Sequence, residues 1–167
     1  GQGGSGGFDK KFYYDNSYLI VDRRDVLVLE TAGREWAQKR YERAAISNRL
    51  TLGADADAYS GKACDFAKKH TEPVFTHFSG SRERLASARD CVEGAIGVYD
   101  LLRGLRAHED GAAPLRAGSV KSVCMHAGGL VGDQTTASMA VEIGDEIRAW
   151  VTGGSAPCVS LFKPYRL

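Results

Sequence analysis

The sequence has no long apolar run: nothing approaches the ~20 residues that a membrane-crossing helix needs, and no charged stretch followed by an apolar one heads the chain as an export signal would. Neither a membrane span nor secretion is expected. Charge of one sign is also missing, since 22 Lys and Arg face 21 Asp and Glu for a net charge of +1. No global field therefore favours nucleic acid or an anionic membrane, and the pairs Arg23-Arg24 and Lys68-Lys69 read as solvated surface. The four cysteines, Cys64, Cys91, Cys124 and Cys158, show neither a C-x-x-C nor dense spacing. Reduced thiols of a cytoplasmic protein fit this better than a disulfide framework. No glycine-rich phosphate loop of the form G-x-x-x-x-G-K-[ST] or G-x-G-x-x-G opens a helix. A literal G-x-S-x-G at Gly3 to Gly7 has no strand before it to force a nucleophile elbow. Cys124 and His126 form a C-x-H, but no second ligand pair at suitable spacing follows, so neither a metal nor a cofactor is expected.

What remains is a chain with 43% hydrophobic and 26% charged residues, enough for one globular domain with a core, spanning residues 1–167. It starts "GQGGSGG" without an initiating Met. Residues 1–16 form a glycine-rich lead-in. Over 17–52, β-branched and apolar runs such as "SYLIV" and "VLVLET", joined by the polar turn Asp22 to Asp25, predict an antiparallel meander of three to four strands. Its near-continuous apolar character predicts cover on both faces. Over 61–107 the period becomes helical. "GKACDFAKK" is a short helix, Ser81 caps a second that carries Leu85, Ala88 and Val92, and Val98, Leu101, Leu102 and Leu105 trace a third. "HEDGAAPLRAG" is a loop. Strands return over 119–167 in "SVKSVCMHA", "TTASMAVEI" and "IRAWVTGG", the last two joined by the turn at Gly144-Asp145. Strands, then helices, then strands without regular alternation predict an α+β fold with antiparallel sheets and a helical pair.

Two residues have chemistry worth weighing. His126 closes a strand two residues after Cys124 and precedes Gly128-Gly129, where a backbone can approach a ligand. It reads either as half of a Cys/His pair or as a histidine bonded to a backbone carbonyl. His77 and His108 flank helices and are expected at the surface. Asn48, in "AISNRLTL", is a neutral double donor suited to a developing oxyanion, and equally an ordinary turn residue.

Taken together, "NSYLIVDRRDVLVLETAGREWAQKR", "AISNRLTL", "SVCMHAGG", "QTTASMAVEI" and "WVTGGSAPCVSLFKP" resemble the secernin and C69-type dipeptidase family. These are N-terminal-nucleophile hydrolases related to choloylglycine hydrolase and penicillin acylase. The resemblance runs from about Gln2 to Pro164 and corresponds to the later half of such proteins. It implies an αββα sandwich of two stacked antiparallel sheets. It also implies hydrolysis of a dipeptide or similar small amide by an N-terminal cysteine, whose α-amino group is the base. Asn48 falls on the position of the family's oxyanion asparagine, and His126, Gln134 and Thr135 are candidates for substrate contact. None of the four cysteines falls at the nucleophile's position. The expectation is therefore that a missing N-terminal half or a companion chain carries it, with Gly1 as the seam. Half of a stacked-sheet fold is expected to leave apolar sheet exposed, and so to bind that half or self-associate. A non-catalytic interaction protein on the same fold, or an acyltransferase with the same nucleophile, are the alternatives.

Overall fold

A computed structural model describes residues 15–71, 79–109 and 117–166. Most of the glycine-rich lead-in, most of the loop after His108, and His77 lie outside the described residues. The fold is α+β, its sheets antiparallel, and the chain divides into two compact units, Gly1–Phe78 and Ser79–Leu167. Among the described residues no helix is long and apolar enough to cross a membrane.

In the first unit, β1 (Asp15–Val21), β2 (Val26–Ala32), β3 (Glu35–Tyr41) and the two-residue β4 (Ala58–Tyr59) form a meander in sequence order. The turn after β1 is made by Asp22, whose Oδ1 accepts from the N–H groups of Arg24 (2.7 Å) and Asp25 (2.8 Å), as an Asx turn should. Because side chains alternate across a strand, Val28, Glu30 and Ala32 share one face with Ala37, the partner of Glu30. That face is buried with Leu50, Leu52 and Phe66 in one core cluster. Phe66 comes from α1 (Phe66–His70), whose N-cap Asp65 accepts from Lys68 N–H at 3.0 Å.

Cover on both faces, expected from the apolar strands, is incomplete among the described residues. Tyr18 and Ile20 pair with Leu29 and Leu27 on the opposite face, where Tyr18 and Ile20 are exposed and Leu27, Leu29 and Trp36 are half-buried. The segment around Leu50 to Leu52 also differs from the expected strand. Its N–H groups bond to the Glu30 carboxylate instead of to a neighbouring strand.

The second unit holds the helical pair α2 (Ser81–Gly94) and α3 (Val98–Gly104), and the meander β5 (Ser138–Ile143), β6 (Ile147–Thr152) and β7 (Lys163–Arg166). Ser81 is not the cap of α2. Gly80 takes that place with φ +63°, and a Cβ there would stand 2.5 Å from the Val120 carbonyl oxygen, so close packing of backbones selected glycine. Helix α3 packs on β5, and Tyr99 meets Trp150 edge-on with ring centroids 6.4 Å apart. That sheet face also carries Ala140, opposite Trp150, and the pair Glu142 and Arg148. The other face carries Met139, Val141, Ile143, Ile147 and Tyr165, all exposed, around buried Ala149. Among the described residues the second unit's sheet thus has one covered face and one exposed apolar face. In the first unit the exposure is instead at the end of β1, where Leu19 and Val21 of the core face are exposed along with Tyr18 and Ile20, and Thr31 on the second face is buried.

The expected strand at 119–127 is instead a bent segment with a single bridge, Ser119 to His126. Loops and side chains supply its backbone partners. Cys124 N–H donates to Ala107 C=O at 3.1 Å, and Met125 N–H donates to Thr135 Oγ1 at 2.9 Å.

Candidate functional site

Asn48 sits at the tip of a tight reversal whose flanks, Ser47 and Arg49, are bridged. Buried Glu30 holds this reversal in place. Its carboxylate accepts from Thr51 N–H at 2.7 and 2.9 Å, from Thr51 Oγ1 at 2.9 Å and from Leu52 N–H at 2.9 Å. Ser17 Oγ adds a bond to Arg49 C=O at 3.2 Å. A carboxylate is the right device here, since its two oxygens offer about four lone-pair sites and backbone donors can fill them. Asn48 itself is exposed, and Ser47 Oγ donates to its Oδ1 at 3.3 Å.

Beneath the reversal lies a hollow of about 40 Å³ lined by Asp15, Ser17, Asn48, Arg49, Leu50 and Thr71. A void of that size accommodates roughly one water-sized group. Burial holds the Asp15 carboxyl above its usual range, opposed by the nearby His70 and reinforced by Glu30. A larger open groove of about 540 Å³ runs along the other side of the sheet, past Leu29, Thr31 and Trp36.

His126, Gln134 and Thr135 belong to the second unit and form a different constellation. Ala127 N–H donates to Gln134 Oε1 at 2.9 Å, and Thr135 exchanges bonds with Met125 through its Oγ1 (2.9 Å) and its own N–H (3.0 Å). Both side chains therefore brace the residues on either side of His126. Gly128, expected to approach a ligand, packs on the backbone of Gly118, where an added Cβ would fall 2.6 Å from Gly128 N.

His126 is buried, and its Nε2 lies 3.5 Å from Cys124 Sγ, 3.4 Å from Cys158 Sγ and 3.1 Å from His108 Nε2. The Cys/His contact that the i, i+2 spacing left open is thus made, with two further partners. His108 is not a surface residue. It is half-buried, with its ring centroid 5.1 Å from that of His126. One ligand atom from each of the four residues lies within 4.8 Å of the others. Burial pushes the Cys124 thiol up, and burial together with His126 holds His108 below the usual histidine range, which favours its neutral form.

Sequence reasoning missed this cluster because its members stand at 108, 124, 126 and 158. The only available signals were the C-x-H itself and the Pro157-Cys158 step, which sits in a short 3-10 turn.

No protein-family model matches the sequence, and no solved structure matches the fold.

Proposed function

We propose that this chain is the later portion of a cysteine-nucleophile amidohydrolase of the secernin and C69 dipeptidase type, acting on a dipeptide or similar small amide. In this reading, Asn48 donates its amide to the oxyanion of the tetrahedral intermediate, and the nucleophilic cysteine lies on polypeptide outside these residues. One observation carries the proposal: Asn48 is presented at the tip of a reversal clamped by Glu30, beside a hollow of about 40 Å³, room for one oxygen atom. An oxyanion donor works by being held in position before charge develops, so that nothing need reorganise during the reaction.

The exposed apolar face of the second unit's sheet, with the exposed end of β1 in the first, supports an αββα sandwich. A sheet covered on one side by helix or loop and apolar on the other is the half-structure that stacking completes. Binding of the companion portion, or of a second copy, through these faces is part of the same proposal, with chemistry in a cytoplasmic setting and no added cofactor at Asn48. The resemblance alone links Gln134 and Thr135 to the substrate, and their bonds to Met125 and Ala127 supply a sufficient structural role, while His126 is a candidate by its position before Gly128-Gly129.

The test is the release of free amino acids from a panel of dipeptides by the chain combined with its nucleophile-bearing portion. Turnover that alkylation of that cysteine abolishes is the expected result. Absence of turnover across the panel, with both portions folded and associated, overturns the enzymatic reading in favour of an interaction protein. Product formed with added amines in place of water would make it an acyltransferase.

A further inference from the structure

We propose that His108, Cys124, His126 and Cys158 form a structural zinc-type site in the second unit, independent of any amidohydrolase chemistry. The first argument is valence. A single imidazole nitrogen carries either one proton or one lone pair, yet His126 Nε2 has three polar atoms at 3.1, 3.4 and 3.5 Å. One proton or one lone pair makes at most one well-aligned hydrogen bond, so at least two of these contacts are close approaches of ligand atoms without one of their own. A corner of a tetrahedron, in contrast, has three edges.

The second argument is distance. Ligands at ~2.3 Å (S) and ~2.0–2.1 Å (N) from a tetrahedral zinc lie about 3.3–3.8 Å from one another. The two Cys edges at His126, 3.4 and 3.5 Å, fall in that range and the His108 edge at 3.1 Å lies just under it. The four ligand atoms all lie within 4.8 Å of one another, so that a bound ion would draw the wider pairs in. Two thiolates and two imidazoles are the donors that borderline-soft Zn²⁺ prefers, and four protein ligands leave no position for a substrate or a reactive water. The site therefore has a structural role.

The third argument is support, because ligand sites depend on the groups that orient the ligands. Every ligand-bearing segment is tied to another by bonds that need no metal. Cys124 N–H bonds to Ala107 C=O, Glu109 N–H to Ser122 Oγ at 3.0 Å, and Ala156 N–H to Thr135 C=O at 3.2 Å. Ala156, two residues before Cys158, has φ +62°, a left-handed conformation that a non-glycine residue adopts only where its surroundings hold it. Between Ala117 and Ala137 no strand longer than a bridge is present among the described residues. A metal cross-link there would replace the missing ladder.

The experiment uses the full chain, purified under reducing conditions without chelator. Metal analysis is expected to find one equivalent of zinc per chain after dialysis. Replacement by Co²⁺ is expected to produce the visible bands of a tetrahedral ion with thiolate charge transfer. Cys158→Ser should remove most of the charge-transfer intensity, whereas Cys91→Ser, outside the cluster, should leave metal content and spectrum unchanged. His108→Cys should keep one equivalent and shift the cobalt bands toward those of a three-thiolate site, which keeps the proposal testable if Cys158→Ser fails to fold. A folded protein that takes up neither zinc nor cobalt overturns the proposal. So does an intact mass lower by two hydrogens from a Cys124–Cys158 disulfide in metal-free protein.

Discussion

Glu30 is fully buried and anchors the segment that presents Asn48 through three donors, Thr51 N–H, Thr51 Oγ1 and Leu52 N–H. Glu30→Ala would leave those donors buried without a partner, at a cost of roughly 2–4 kcal/mol, readable as a lower urea midpoint. A variant as stable as the parent would remove the clamp from the account. Asp15 makes the opposite prediction. Burial raises its pKa in the folded state above the unfolded value, so its effect is unfavourable once it ionises. The relative stability is greatest below the unfolded pKa of about 3.9 and is lost as pH rises through the folded pKa. Asp15→Asn should therefore raise the melting temperature at pH 7 and have little effect at pH 3. An equal shift at both values would point to packing rather than charge. At this scale the sequence was partly legible. Asn48 could be singled out because a neutral double donor between two apolar residues stands out. Glu30 could not, since a glutamate in an apolar strand gives no sign of which backbone donors will reach it.

Periodicity marked β1 to β3, the helical pair and the β5–β6 hairpin, because apolar spacing and turn residues are local signals. It failed at 119–127, where an apolar stretch with β-branched residues became a bent segment. The deciding interactions come from Thr135, Gln134 and the Ala107 carbonyl, all outside the segment and seven or more residues from the groups they bond. It also misplaced the cap of α2, because the Val120 carbonyl against Gly80 is a contact over 40 residues. Gly80→Ala should cost about 1–3 kcal/mol, since it forces a side chain into left-handed backbone and against a carbonyl oxygen. Chemical denaturation checks this, and a neutral effect would mean that the start of α2 moves freely. If the four-residue cluster holds zinc, a chelator should speed amide exchange at 119–127 and leave β1 to β3 unchanged. Uniform exchange across the chain would contradict a local cross-link.

In the second unit the meander has one face covered from its own unit and the other apolar and exposed, marked by Met139, Val141, Ile143 and Tyr165. In the first unit the apolar exposure is at the end of β1, from Tyr18 to Val21. The apolar strand runs predict cover on both faces, and the described residues supply it only in part; what covers the rest belongs to the proposed reading. On the proposed reading, sedimentation of the isolated chain should show self-association or, with the companion portion, a stable complex. A monodisperse monomer at micromolar concentration, unchanged by added companion, would contradict it. The central claim is that Asn48 stabilises the oxyanion of a hydrolase, and the turnover of Asn48→Ala tests it most directly. With a cleaved dipeptide identified, kcat should fall by about 10²–10³ while KM changes little, and an unchanged kcat would contradict the claim.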